Sequence, residues 1–250
     1  MNLLILGATG GTGRALVDQA LTLGHTVTAF ARDPSKVRTT HPNLRTLKGD
    51  ILEYASLEAA LQSQDAVLSA LGIRVPVMSV IVITILCQVV ARLGHLLGPL
   101  GLIVRIGIPL LAYLFLFRSK PTLSDGTKNV VSAMEKARVK RFVCESSLGI
   151  GNSGGQLGFF YNYVLIPILL RNIFADKEVQ EKVIGESSLD WIIVRPGALT
   201  NGPHTGVYRS GFDASDKSIQ AKISRPDVAD FMLKQLTTDA YLRKMPGLSY

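Results

Sequence analysis

The sequence is poor in cysteine and in charge, and both shortages restrict its class. Two cysteines, Cys87 and Cys144, stand far apart in a chain of 250 residues. This excludes a disulfide scaffold or a zinc ribbon and indicates a reducing compartment. Charged residues make up 18% of the chain, against roughly 25% in an average globular protein. Disorder and coiled coils are therefore excluded, and apolar surface shielded from water is expected.

Acidic residues are absent from two long stretches. No Asp or Glu lies between Asp65 and Asp125, nor between Glu145 and Asp176. The net charge of the whole chain is +8. The first stretch is mainly aliphatic with scattered arginines. Basic residues within aliphatic runs favour a membrane surface over nucleic acid, where Lys and Arg cluster among polar neighbours. We therefore expect no nucleic-acid partner, and the four histidines show no metal-ligand spacing.

The order of apolar segments predicts an α/β fold. Strands are predicted at residues 2–6, 25–30, 44–47, 66–71, 141–146 and 191–194, with helices at 15–23, 57–62, 125–137, 177–188 and 227–237. Strands separated by helices predict a doubly wound parallel Rossmann sheet, here one domain over residues 1–250. The alternation breaks after the fourth strand, where residues 75–118 form a hydrophobic helical insertion. An apolar strand at the very start leaves no room for a signal peptide, so a cytoplasmic location is expected.

A glycine-rich turn follows the first predicted strand. Gly7, Gly10 and Gly13 have the spacing that lets a backbone turn tightly and approach a dinucleotide pyrophosphate at a helix N-terminus. The turn and the ends of later strands supply the predicted cofactor-binding residues. These are Gly7, Thr9, Gly10, Gly11, Thr12, Gly13, Arg32, Asp50, Ile51, Ala70, Leu71, Gly72, Pro196 and Gly197.

The residue after the second strand indicates which nicotinamide cofactor binds. An NAD site usually has Asp or Glu there for the ribose 2′-OH. This chain has Arg32, whose guanidinium suits a 2′-phosphate, so NADP(H) is preferred. Asp33, one position later, keeps NAD(H) as the alternative.

Several motifs resemble NmrA-like atypical short-chain dehydrogenase/reductases, in the branch of biliverdin reductase B or flavin reductase. They are the run from Gly7 to Arg14, Ala31-Arg32-Asp33, Gly49-Asp50, Asp65-Ala66-Val67 and the pair Leu236 and Asp239. Val194-Arg195-Pro196-Gly197 and Arg225-Pro226-Asp227-Val228-Ala229 also resemble bacterial NAD(P)-binding oxidoreductases. The resemblance implies an NAD(P)H-dependent reductase of a planar, conjugated or lipophilic acceptor of flavin, quinone or tetrapyrrole type.

The chain departs from the classical members at the catalytic tyrosine. Those members pair Tyr with Lys four residues later, but Ile173 stands four residues before Lys177. Candidate catalytic residues are then Ser146, at the end of the fifth strand, and Lys177, which matches the lysine near the nicotinamide ribose in relatives without the tyrosine. The missing tyrosine keeps two alternatives open: a non-catalytic NADP(H)-binding sensor or membrane-complex assembly factor, and an epimerase or dehydratase.

The apolar insertion has three interpretations. Thr84, Gln88 and Arg92 form a polar stripe at helical spacing, which is typical of a helix lying in a membrane interface. Arg105 and Pro109 disfavour a full membrane span. We expect residues 75–118, together with a second apolar block at 159–170, to form a peripheral membrane patch. The alternatives are a lid or oligomer interface, and a membrane hairpin.

Overall fold

The computed structural model describes residues 1–72, 122–150, 171–212, 216 and 218–250. The predicted insertion at 75–118 and the apolar block at 159–170 lie outside these residues. None of the helices among the described residues is long and apolar enough to cross a membrane.

Ten strands and five α-helices are described. The strands are β1 (Asn2–Leu6), β2 (Thr26–Ala31), β3 (Leu44–Lys48), β4 (Ala66–Ser69), β5 (Arg141–Glu145), β6 (Asp190–Pro196), β7 (Ala198–Thr200), β8 (Arg209–Ser210), β9 (Lys222–Ser224) and β10 (Gly247–Ser249). The helices are α1 (Gly11–Thr22), α2 (Tyr54–Leu61), α3 (Thr122–Ala137), α4 (Arg171–Gly185) and α5 (Arg225–Lys234), with a 3-10 turn at Pro34–Lys36.

Eight strands form one mostly parallel sheet in the order β3-β2-β1-β4-β5-β6-β10-β8. This confirms the predicted Rossmann fold. One correction is needed at the edge, because β8 runs antiparallel to β10. Strands of two and three residues are too short to show a hydrophobic period, so neither was predicted.

The sheet buries side chains on both faces. Leu3 and Ile5 of β1 join the cluster that packs with α1 and α5, whereas Leu4 and Leu6 join the cluster with α2 and α3. A parallel sheet covered on both sides needs strands that are apolar at every position, which is why β1 is a continuous aliphatic run.

The strand register brings one set of residues to the carboxyl edge of the sheet. Leu6 pairs with Ser69, and Ser69 pairs with Cys144. Glu145, the next residue of β5, pairs with Val194 of β6. The residues that follow these positions therefore emerge together, at the edge where ligands bind in open α/β sheets.

All five helices begin two to six residues earlier than predicted, and capping explains two of these starts. Helix α1 begins at Gly11 because Gly10, in an extended conformation, is its N-cap, so part of the glycine-rich turn is itself helical. Helix α3 begins at Thr122, and the buried carboxylate of Asp176 accepts the amide hydrogens of Leu123 and Ser124 at 3.1 Å each. A capping carboxylate from a distant helix leaves no local signal in the sequence.

Candidate functional site

The glycine-rich turn needs glycine because backbone meets backbone there. Gly7 has a φ of +78°, and a Cβ on it would lie 2.5 Å from the carbonyl oxygen of Ala70. A Cβ on Gly13 would lie 2.0 Å from the carbonyl oxygen of Gly7. The turn is thus pressed between the end of β4 and the start of α1, with half-buried Thr9 in its middle.

The N-terminus of α1 is open to an anion. Its N-cap, Gly10, has no side chain to accept a hydrogen bond, and its first turn has no acidic residue. The amide of Gly10 itself donates to the Gly7 carbonyl at 2.9 Å. The first amides of the helix and the positive end of its dipole therefore remain suited to a phosphate.

A cation from a distant part of the chain adjoins this helix end. The Cδ of Arg225, the first residue of α5, lies 2.4 Å from where a Cβ on Gly11 would be. Its Nη1 donates to Oδ1 of Asn201 at 2.6 Å. No role was predicted for Arg225 or Asn201, because only the fold brings them to the glycine-rich turn.

Asp227 fixes the start of α5 and the loop that carries Asn201. Its side chain is completely buried. Burial alone would raise the pKa of Asp227, but hydrogen bonds from Tyr250, Gly206 and Thr205 outweigh it and lower this pKa to about 2. The donors include the Tyr250 hydroxyl at 2.6 Å, the Thr205 amide at 2.8 Å and the Gly206 amide at 2.9 Å.

Glu145 places a buried carboxyl at the same edge. It is 6% exposed, and its Oε1 accepts a hydrogen bond from the Thr12 hydroxyl at 3.1 Å. Burial raises the pKa of Glu145, and the charge of Lys177, the Thr12 bond and the charge of Arg225 oppose that rise. Sequence reasoning missed Glu145, since an acidic residue at a strand end is most often solvated.

Ser146 is buried and its hydroxyl hydrogen is committed. It donates to Oε1 of Glu181 at 2.6 Å. Glu181 in turn accepts two bonds from Arg195, from Nε at 3.0 Å and from Nη2 at 2.6 Å. The Ser146 oxygen can still accept a hydrogen bond, but its proton already serves the buried Glu181–Arg195 pair. Glu181 and Arg195 were not predicted as site residues.

Lys177 lies close enough to Glu145 for its positive charge to favour the ionised carboxylate. Its side chain is nearly buried, with 9% of the residue exposed. It forms no hydrogen bond or ion pair with any residue that the structure describes. Ser146 and Lys177 are therefore both near Glu145, but only Lys177 has polar hydrogens that no described residue accepts.

Cys144, beside Glu145, contributes no nucleophile. Burial raises the pKa of its thiol to about 12, so the reactive thiolate is scarce. Within the described part of the chain, no group of three or more His, Cys, Asp or Glu side chains could hold a metal ion.

The residues predicted around the cofactor's adenosine follow β2 and β3. Arg32 is exposed, whereas Asp33 caps the short 3-10 turn and forms an ion pair with Lys36 at 3.0 Å. Asp50 accepts the Leu52 amide at 3.0 Å. Ile51 packs against α3, where a Cβ on Gly126 would lie 2.2 Å from its Cδ1.

The remaining predicted residues follow β4 and β6. Ala70, Leu71 and Gly72 continue from β4 beside Gly7. Pro196 is the last residue of β6, and its carbonyl accepts the Leu148 amide at 2.8 Å. The Gly197 amide donates to the Leu248 carbonyl at 2.9 Å. The Pro196 carbonyl and the Gly197 amide are thus already paired within the protein.

A family of NAD(P)H-binding proteins matches this chain over residues 7–92 and 110–239. The chain belongs to this NAD(P)H-binding family. The predicted resemblance and the NAD(P)H class of cofactor are thereby confirmed. The glycine turn, the open end of α1 and Arg225 fit such a cofactor, since backbone space, amides and positive charge meet where its pyrophosphate would bind.

Two curated proteins are similar to this chain over nearly all of its length. An uncharacterised chloroplast protein of Arabidopsis thaliana is 28% identical over 93% of this chain and 70% of its own length. The photosystem II assembly factor Ycf39 of Synechocystis is 23% identical, and the match covers 98% of this chain and 61% of that protein. The chain thus spans under two thirds of the length of Ycf39.

Two solved structures share the fold. The anaerobilin reductase ChuY of Escherichia coli O157:H7 has a TM-score of 0.70 at 18% identity, covering all of this chain and 97% of ChuY. A short-chain dehydrogenase/reductase of Veillonella parvula, solved in complex with NADP, has a TM-score of 0.68 at 16% identity, covering 100% and 94%.

Proposed function

We propose that the chain is an NAD(P)H-dependent reductase that transfers hydride to a planar or lipophilic acceptor of flavin, quinone or tetrapyrrole type. One observation carries this proposal: two groups of residues lie at the same edge of the sheet. The first is the start of α1 at Gly11, which is suited to an anion, together with Arg225. The second is the buried polar pair Glu145 and Lys177. A bound reduced nicotinamide supplies the hydride.

The protein's own part in the reaction is to bind and to orient. The amides at the start of α1 and the guanidinium of Arg225 would hold the pyrophosphate. Lys177 would bind the nicotinamide ribose, and the Ser146 oxygen would accept a hydrogen bond from the nicotinamide amide or from the acceptor. The remaining predicted residues at the strand ends would line the adenine and nicotinamide pockets.

Two features support a preference for NADP(H). Arg32 is exposed and has no hydrogen bond or ion pair with a described residue, so its guanidinium is free to bind a 2′-phosphate. Asp33, the alternative ligand for a ribose 2′-OH, is occupied by the amide and hydroxyl of Ser35 at 3.2 and 2.6 Å and by Lys36.

The acceptor class rests on the missing tyrosine. A simple ketone needs a strong proton donor beside the hydride, whereas a flavin, quinone or tetrapyrrole spreads the incoming charge over a conjugated ring. Ile173 stands where the tyrosine would be. The likeness to an anaerobilin reductase supports the tetrapyrrole type among these acceptors.

We also propose a peripheral membrane location on the cytoplasmic side. The support is the acid-free, aliphatic sequence of residues 75–118, which we interpret as an insertion into a single domain. The family match omits residues 93–109, which fall within it. Membrane contact would suit an acceptor that partitions into lipid.

The test is to mix the protein with NADPH or NADH and, separately, FMN, menadione and biliverdin, and to follow the absorbance of the reduced nicotinamide. We expect turnover with at least one acceptor and a higher kcat/KM with NADPH than with NADH. Absence of turnover with all three acceptors, at cofactor concentrations that saturate the protein, would overturn the reductase proposal.

A second function is favoured by one observation. The proton of Ser146 is committed to Glu181, and the catalytic tyrosine is absent. The site thus has groups suited to binding a cofactor but lacks the usual proton donors for catalysis. A non-catalytic NADP(H) sensor or membrane-complex assembly factor would have such a site, and the likeness to Ycf39 supports it. Tight NADPH binding without turnover is the result that this function predicts.

A further inference from the structure

Glu145 is a buried carboxyl that cofactor binding does not require. We propose that Glu145 is the catalytic proton donor of this site and takes the place of the missing tyrosine. This inference rests on the proposed reductase function. It identifies a residue that no sequence motif of the chain indicated.

Glu145 lies where a proton donor to a bound ligand is needed. Glu145 is the last residue of β5, one residue beyond the level at which Leu6, Ser69 and Cys144 pair across the sheet. Leu6 is followed directly by Gly7 of the phosphate-binding turn. The carboxyl therefore lies at the ligand-binding edge, and the 3.1 Å bond from Thr12 holds it against the first turn of α1.

The other candidate proton donors at this edge are engaged or inert, apart from Lys177, whose ammonium is assigned to the nicotinamide ribose. Glu181 is held by two bonds from Arg195, and the Ser146 hydroxyl donates to Glu181. The Cys144 thiol is completely enclosed. Glu145 has one hydrogen bond, from Thr12, and no ion pair among the described residues.

One carboxyl oxygen of Glu145 is accessible. The fully enclosed side-chain atoms that lack a partner in the described chain belong to Gln64, Arg141, Gln180 and Gln235, and Oε2 of Glu145 is not one of them. This oxygen has no partner among the described residues either, so part of its surface remains accessible to solvent. A group that donates a proton to a ligand needs such an open atom.

Groups on three helices act on the Glu145 carboxyl. They are the neutral Thr12 hydroxyl on α1, which donates a hydrogen bond, and two positive charges, the Lys177 ammonium on α4 and the Arg225 guanidinium on α5. Burial raises the pKa of Glu145 despite these groups, and a pyrophosphate at the start of α1 would add negative charge and raise it further. Cofactor binding would thus favour the protonated acid.

A bound reduced nicotinamide would supply a hydride with both electrons, and the acceptor that gains the hydride would gain negative charge. The O–H bond of Glu145 breaks and its proton moves to the charged acceptor atom, so the acceptor is reduced by two electrons and two hydrogens. The Glu145 carboxylate, stabilised by the Lys177 ammonium, regains a proton from water before the next turnover.

The decisive variant is Glu145→Gln, which can still accept the Thr12 hydrogen bond but has no acid proton. The matched control is Glu178→Gln, which makes the same change at an exposed position on α4. With NADPH and the best acceptor, we expect Glu145→Gln to lower kcat by about a hundredfold or more. The control and the wild type should have equal kcat, and NADPH binding should change little in either variant.

The pH profile separates a proton donor from a structural residue. Because an acid must be protonated to donate, wild-type kcat should fall as pH rises through the pKa of Glu145 in the complex, and Glu145→Gln should lose this limb. Thr12→Val removes a bond that favours the charged carboxylate, so it should move the limb to higher pH. This second variant decides the question if Glu145→Gln does not fold.

Three results would overturn the inference. One is a Glu145→Gln protein with wild-type kcat and an unchanged profile, and another is a limb that stays in place in Thr12→Val. The third is a wild type that binds NADPH but reduces no acceptor. That last result removes the reductase function itself, whereas the first two leave the function standing and remove only the role of Glu145.

Discussion

Arg225 lies across Gly11, so closely that a Cβ on Gly11 would sit 2.4 Å from the Cδ of Arg225. The side chain crosses from the start of α5 to the start of α1, and Asn201 holds its outer end through a 2.6 Å bond to Nη1. Two helix N-termini are thus joined by one cation, at the point where an anionic cofactor would bind.

Arg225→Met should therefore weaken NADPH binding. A hydrogen bond to a charged group contributes about 1.5–3 kcal/mol, so we expect Kd to rise roughly tenfold or more. Arg45→Met, on exposed β3, is the control and should leave Kd unchanged. Titration calorimetry measures both, and an unaltered Kd in Arg225→Met would exclude contact with the cofactor.

Arg32→Ala should distinguish the two nicotinamide cofactors. Its guanidinium would contact only the 2′-phosphate, so Kd for NADPH should rise about tenfold while Kd for NADH stays the same. Asp33→Asn is the opposite test. If the Asp33 carboxylate binds the ribose 2′-OH, its removal should raise Kd for NADH instead. Equal Kd values for both cofactors in the wild type would contradict the NADP(H) preference.

The sequence predicts the parts of this site that are continuous along the chain. Gly7, Gly10 and Gly13 follow β1 directly, so their spacing alone identifies the turn. Glu145 and Thr12 are separated by 133 positions, and no pattern in either segment predicts their hydrogen bond. Arg225 is equally remote from Gly11. Contacts of this kind arise from strand order and helix packing, which the sequence determines only through the whole fold.

Gly13→Ala should disrupt the turn. The new methyl would lie 2.0 Å from the carbonyl oxygen of Gly7, a backbone atom that cannot move without shifting the amides proposed to bind phosphate. We expect either a fall in Tm of several degrees or loss of NADPH binding, measured by thermal melting and by calorimetry. Gly185→Ala is the control, because its methyl would meet Trp191 at an ordinary 3.9 Å.

Acid should destabilise the protein through Asp227. The folded state lowers the pKa of this carboxyl from 3.8 to about 2, so the charged form contributes stability above pH 3.8. That contribution is lost as pH falls from 3.8 towards about 2, where the carboxyl is protonated in both states. Asp227→Asn should have a lower Tm at neutral pH and a smaller further loss over this acid range. Parallel Tm curves for the two proteins would contradict the assignment.

The acid-free segment should bind anionic membranes. Residues 75–118 carry Arg92, Arg105 and Arg118 among aliphatic residues, and each basic residue near an anionic surface contributes roughly 1 kcal/mol. The protein should sediment with vesicles that contain phosphatidylserine and much less with phosphatidylcholine alone. Changing these three arginines to Glu should abolish the difference.

A matched control separates this segment from the general positive charge of the protein. Arg45 and Lys48 on β3 and Lys222 on β9 are exposed basic residues. Changing them to Glu alters the net charge by the same amount as the three changes in residues 75–118. If charge alone governs binding, both triple variants lose it equally. If residues 75–118 are the membrane contact, only their variant does. A wild type that ignores both kinds of vesicle would leave a lid or an oligomer interface as the role of the segment.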